Sequence, residues 1–319
     1  MTSIRLHSRT LLILLLVTIV LTSHSVVSAK EKPIIVCTTS VLASIAKDLV
    51  GDKAIVEVIA SPAVCPAYYD IKPSDVETFR EADLILMHGI EQWVKALKEA
   101  SSSNAPIVEI PGTWNAPDTL KERYEAVAKA IEDNLGIDVS DRLSKCVNRI
   151  DDLGKYLKEY SKGHDFEGVP VVCMAWQVAF IKYLGFKIVA TYGPPEKVTA
   201  KEYSEIIKNA TSAGAILVID NIQSGTELGK KIALEIGGVE VALTNFPGIS
   251  PEINNITAML KWNVEKLADA LAKVNLQREV NVLKEQLDTY RTATIVLMAI
   301  TVVLVLLVIG LAIRLKTRK

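Results

Sequence analysis

Four short apolar runs, PIIVC, AIVEVIA, DLILM and APIVEI, alternate with stretches of helical apolar spacing over the first third of the chain. Such runs read as parallel strands buried on both faces, and the stretches between them as crossover helices. Helices are predicted from about Leu42 and around Asp75 to Glu81. Leu120 to Tyr160 is charged and helical, interrupted at Gly136 to Asp138. PVVCM, KIVATY, AILVID and VEVALT then repeat the alternation. The expected fold class is α/β, with two lobes, each a parallel sheet flanked by helices. The lobes are expected at residues 30–116 and 167–272, with the helical region at 117–166 between them.

The two ends follow a different pattern. Arg5 and Arg9, the apolar run Leu11 to Leu21 and the small residues Val27, Ser28 and Ala29 make a secretory signal over residues 1–29. Residues 273–291 are polar and helical, but Leu276, Val280, Leu283, Leu287 and Tyr290 keep a 4-3-4-3 spacing. This is a stalk with a two-heptad seam, for which packing against the adjacent lobe and pairing with another helix both stay open. Thr292 to Ile313 has no charge in 22 residues, enough at 1.5 Å per residue to cross a hydrocarbon core of roughly 30 Å. Arg314, Lys316, Arg318 and Lys319 follow, and the positive-inside rule places that tail, 314–319, in the cytoplasm. The expected topology is a single-pass cell-membrane protein with its main domain extracellular.

Two basic residues precede Lys30 and four follow Arg291, so the exported stretch keeps 30 basic against 37 acidic residues, a net charge of −7. That balance excludes nucleic acid as an expected partner and suits cations or simple solubility. The chain has no G-x-S-x-G, P-loop, H-E-x-x-H or glycine-rich dinucleotide motif, so it is not expected to be an enzyme. Four cysteines, Cys37, Cys65, Cys146 and Cys173, fit no C-x-x-C spacing. Cys37 and Cys146 read as small buried apolar residues.

Ligands of open parallel sheets bind beyond the carboxyl ends of the strands. That rule selects the loop Cys65 to Asp70, His88, Cys173 and Met174, Tyr192 to Glu196, Asp220 and Asn245.

The segment SPAVCPAYYDIKPSDVETFREADLILMHGIEQW, residues 61–93, carries Pro66, Tyr69, Asp70, Pro73, Ser74, Asp75, Ala82, Asp83, Gly89, Glu91 and Trp93. It resembles the zinc/manganese-type solute-binding proteins of ABC importers, which have Pro-His-x-Tyr-Glu-Pro-x-Pro-Ser-Asp, then Ala-Asp-Leu and Asn-Gly-x-x-x-Glu-x-Trp. CMAWQVAFIKYLGF and MLKWNVEKLADAL extend the likeness over about residues 33–272. The resemblance implies a long helix linking the lobes, an ABC permease and its ATPase as partners, and a transition metal ion (Zn, Mn, Fe or Cu) as transported ligand. It also implies one metal ligand from each of several strand-end loops. These fall on Ala67 or Tyr68, about Met174, near Glu196, and on Asn245, so that only Glu196 keeps a typical ligand type.

His88 and His164 are the only histidines beyond the signal, which rules out a three-histidine zinc site. Two readings remain open. In one, Cys65, Cys173 and Met174, with Tyr68, His88, Glu196 or Asp220, form a soft metal site. In the other, the cleft takes a chelate or small organic molecule between Tyr68, Tyr69, Trp176 and Tyr192. A non-transport surface scaffold is the third possibility.

Overall fold

The computed structural model describes residues 32–316; the signal segment and the last three residues of the basic tail lie outside the described residues. All eight apolar runs are strands. β1 (Ile34–Cys37), β2 (Ile55–Val58), β3 (Leu84–Met87) and β4 (Ile107–Glu109) form a parallel sheet in the order β2-β1-β3-β4. β5 (Pro170–Met174), β6 (Lys187–Tyr192), β7 (Leu217–Asn221) and β8 (Val239–Leu243) repeat that plan in the order β6-β5-β7-β8. The crossovers in the first lobe are α1 (Ser40–Val50), α2 (Pro73–Arg80) and α3 (Trp93–Ser101). In the second lobe they are α6 (Val178–Tyr183), α7 (Ala200–Ala213) and α8 (Glu227–Ile236).

The linking region is two helices, α4 (Pro117–Leu135) and α5 (Ser140–Gly163). Gly136 ends α4 in the left-handed conformation at φ 63°, and Asp138 accepts from the Ser140 amide at 3.0 Å to start α5. Lys53 fixes the corner by donating to the Asp138 carbonyl at 2.7 Å. The interruption expected from the sequence is therefore a true break, made by a glycine C-cap and an aspartate turn.

One buried apolar cluster runs from the first sheet through α1, α4, α5 and the start of the last helix into the second sheet. It joins Ile35 and Leu86 to Val171 and Leu217 through Leu120, Leu157 and Leu267. The lobes are thus two sheets on one shared core, and sliding one past the other would disturb close-packed side chains.

The last helix, α9, is continuous from Ile256 to Lys316. Its first part packs on the second lobe through Met259, Leu260, Val264, Leu267, Leu271 and Val274. From Asn275 onward its described residues are exposed. The stalk seam does not pack against the lobe; it stands in the open. The same helix is long and apolar enough to cross a membrane.

Candidate functional site

The strand order brings its own crevice. In each sheet the chain reverses direction beside the first strand, between β1 and β3 and between β5 and β7, which is where open sheets bind ligands. The two crevices meet at a cavity of about 310 Å³ lined from both lobes.

The first-lobe wall depends on a loop fixed by its own motif residues. Trp93 donates from Nε1 to the Pro66 carbonyl at 2.7 Å and lies against Tyr69, with ring centroids 5.2 Å apart. Tyr69 donates to Asp75 at 2.9 Å, and Asp75 also accepts from the Lys72 amide at 2.7 Å, starting α2. Glu91 is buried and accepts from the Thr38 hydroxyl at 2.6 Å and the His88 amide at 3.1 Å. The residues that carry the resemblance therefore build the loops around the site.

His88 sits deep in this wall. Its Nδ1 faces the Ile110 carbonyl at 3.3 Å, so Nδ1 carries the proton. Nε2 is then an acceptor, satisfied by the Thr39 hydroxyl at 2.9 Å. Trp114 stacks on the ring at 4.2 Å. Burial pushes the imidazole pKa down to about 4. Binding a metal at Nε2 would require giving up the Thr39 bond.

Neutral amides dominate the rest of the lining. Asn115 donates to the Trp176 carbonyl at 2.8 Å, and Asn245 donates to the same carbonyl at 3.2 Å. Gln223 spans the lobes by donating to the Pro62 carbonyl at 2.9 Å and also reaches the Thr244 hydroxyl at 2.9 Å. Trp114 closes the boundary by donating to the Asn245 carbonyl at 2.8 Å. Two buried amide atoms have no partner: Asn115 Oδ1 and Nε2 of Gln177, whose own Oε1 faces Asn115 Nδ2 at 3.4 Å. Such atoms are rare in folded proteins; both are enclosed, and Gln177 is not part of the cavity lining. Trp114, Trp176, Phe246 and Ile90 supply the apolar faces.

The seven residues singled out in the sequence fall in four places. Cys65 and His88 line the cavity together. Tyr68 donates to Glu196 at 2.8 Å, joining the lobes on the exposed side. Asp220 is buried; one oxygen accepts from Tyr192 at 2.7 Å, and the other lies where a Cβ at Gly229 would stand, beneath α8. Burial raises the Asp220 pKa. Cys173 and Met174 have no exposure and belong to two different apolar clusters, one on each side of the second sheet. The Cys173 thiol faces the Met174 carbonyl at 3.3 Å, and burial pushes its pKa well up. The structure thus does not bring Cys173 to Cys65, because β5 is covered on both faces. Among the described residues, no three His, Cys, Asp or Glu side chains are grouped to hold a metal ion.

Trp114 and Asn115 were not among the sequence candidates. They follow β4, whose strand end obeys the same rule as the others. Gln223 and Phe246 lie three residues and one residue beyond the selected Asp220 and Asn245.

Residues 35–270 match the family ZnuA, described as the periplasmic component A of a zinc-uptake complex. Solved structures of the same fold include a periplasmic zinc-binding protein, TroA, from Treponema pallidum. It is 17% identical with a TM-score of 0.64, over 76% of this chain and 99% of that one. A periplasmic metal-binding protein from Candidatus Liberibacter asiaticus is 15% identical with a TM-score of 0.65, over 75% of this chain and 100% of that one. A zinc-bound ZnuA deletion mutant is 19% identical with a TM-score of 0.62, over 75% and 98%. No curated protein sequence matches the chain significantly.

Proposed function

The chain belongs to the ZnuA family of periplasmic metal-uptake components, and on that premise we propose that it is the solute-binding component of an ABC importer whose inter-lobe cavity captures the metal as a complex. The permease and ATPase of the importer would receive the cargo. The C-terminal helix would hold the lobes outside the membrane, with the basic tail Arg314 to Lys319 inside. The ZnuA and Liberibacter structures hold zinc and manganese respectively; the lining here is of another kind.

The observation that carries this reading is the cavity wall. It has aromatic rings and neutral amides from both lobes, one thiol, and no acid, lysine or arginine. A bare divalent ion leaving water needs anionic or imidazole ligands to offset its lost hydration. Cys65 supplies one sulfur, and His88 is already bonded at both ring nitrogens. A neutral complex brings its coordination sphere already filled. It presents flat apolar faces to Trp114 and Trp176 and polar edges to Asn115 and Gln223. The volume sits at the lower end of small-molecule pockets, roughly 300–1,000 Å³.

The test is calorimetric titration of the purified full-length chain with Zn(II) or Mn(II) alone, and with a neutral zinc bis(amino acid) complex. Saturable binding of the complex, weakened at least tenfold in Asn115→Leu, is expected. One equivalent of bare ion, lost in Cys65→Ser or His88→Gln, would replace this reading with a thiolate–imidazole site. No binding in either arm would leave a surface scaffold.

A further inference from the structure

We infer that the exposed stalk of α9 is a pairing surface for a second copy of this chain, forming a parallel two-stranded coiled coil just outside the membrane. The inference rests on the reading of α9 as a membrane anchor.

The seam residues Leu276, Val280, Leu283, Leu287 and Tyr290 are between 40% and 71% exposed, although they repeat at heptad spacing. Their own lobe cannot cover them. At 100° per residue, each lies about 160–240° around the helix from Val274, the last side chain buried against the lobe. The helix therefore presents one stripe to its lobe and, a turn later, a second stripe on the opposite side.

Three features select a second copy as the occupant. First, the anchor fixes geometry: two chains inserted the same way through the same helix can only meet parallel and in register. Second, the residue types suit that arrangement. Leu276 and Leu283 occupy d positions and the β-branched Val280 an a position, the combination that favours two strands. Third, the flanks are complementary. In this register Glu279 is a g position and Lys284 the following e position, so Glu279 of each chain meets Lys284 of the partner subunit. The pair repeats by symmetry. Arg278 and Glu285 fall on the outer f position, as a solvent-facing flank requires.

Two heptads are short for an isolated coiled coil. Confinement in a membrane raises the effective concentration of one stalk near another without any new contact. In the apolar part of α9, Leu297 and Leu304 continue the d positions, while the a positions there are Thr294 and Thr301, whose hydroxyls bond their own helix carbonyls. The result would be two binding domains held side by side on one stem.

The experiment uses the full-length chain in membranes, in a Cys65→Ser background; the other three cysteines are buried. Single cysteines are placed at 276, 280, 283 and 287 on the seam and at 278 and 285 on the outer face, then treated with a short thiol crosslinker. A product of twice the chain mass is expected at the four seam positions, at least tenfold above the outer two. Glu279→Lys should lower the yield at 283 several-fold, and adding Lys284→Glu should restore it. Equal yields around the helix, no product, or a product with a different protein would overturn the inference. Alkaline carbonate washing of the same membranes reports the anchor separately: an anchored chain without the 4-3 pattern overturns the pairing alone, whereas a chain that washes off overturns both.

Discussion

His88 shows how a residue type selected for its chemistry can be held for packing. Both ring nitrogens are bonded, Trp114 covers one face, and burial keeps the imidazole neutral with a pKa of about 4. In the unfolded chain it titrates near 6.5. Between those values the unfolded state takes up a proton that the folded state refuses, so this contribution to stability is complete above pH 6.5 and is lost as pH falls toward 4. From pH 7 to pH 5 the loss from this residue is about 2 kcal/mol. Urea unfolding at the two pH values should show it, and His88→Gln, which titrates nowhere in that range, should remove most of the difference. A pH slope unchanged in the variant would refute the assignment.

The same scale explains what the sequence did and did not reveal about the site. Of the residues chosen by the strand-end rule, Cys65, Ala67, His88 and Asn245 line the cavity, whereas Cys173, Met174, Tyr192, Glu196 and Asp220 do not. The rule carries no information on which side of the pleat a residue faces. Cys173 and Met174 are adjacent, point to opposite sides of β5, and meet a covered face either way. Asp220 sits one residue before the end of β7 and turns under α8, while Asn221, Gln223 and Ser224 just beyond it reach the cavity. Asn245 is the one amide that the strand-end rule selects, whereas Asn115, Asn221 and Gln223 supply the rest of the amide lining.

At the scale of elements, apolar runs of five to seven residues located all eight strands; the central strands β1, β3, β5 and β7 are buried nearly throughout, as such runs imply, whereas the edge strand β2 is largely exposed and its run, like that of β4, carries a glutamate. The break between α4 and α5 was legible for a different reason: Gly136 is in the left-handed region, and nothing crowds the place where its Cβ would stand. Substitution there therefore isolates backbone strain. Gly136→Ala should cost about 1 kcal/mol and Gly136→Asn less, since asparagine tolerates that conformation. Chemical denaturation of the two variants checks this. An alanine variant as stable as the parent would mean that the corner relaxes to a right-handed turn. The course of the stalk was not legible, since heptad spacing gives the seam but not the direction in which the lobe lies.

At the scale of the whole molecule, the shared core leaves little freedom for the lobes to part, and the exposed side of their boundary is joined by the bond from Tyr68 to Glu196. Its geometry suggests a latch. Tyr68 is mostly exposed, so Tyr68→Phe removes a hydroxyl without opening a cavity, and the thermal midpoint should stay within experimental scatter. A ligand held in the cavity should nevertheless leave several-fold faster, because the open arrangement loses no bond when it forms. Glu196 is held below its usual pKa, first by a backbone N–H and then by the Tyr68 hydroxyl, so the latch is intact at neutral pH and fails only in acid, as the carboxylate takes up a proton. Stopped-flow dissociation of the bound complex at neutral pH measures the effect. Tyr68→Phe, Glu196→Ala and the double variant should then share one rate, because each removes the same bond. If the two single changes act additively, the residues affect release by separate routes, and closure of the lobes depends on the other contacts across the boundary, those of Trp114, Asn115 and Gln223.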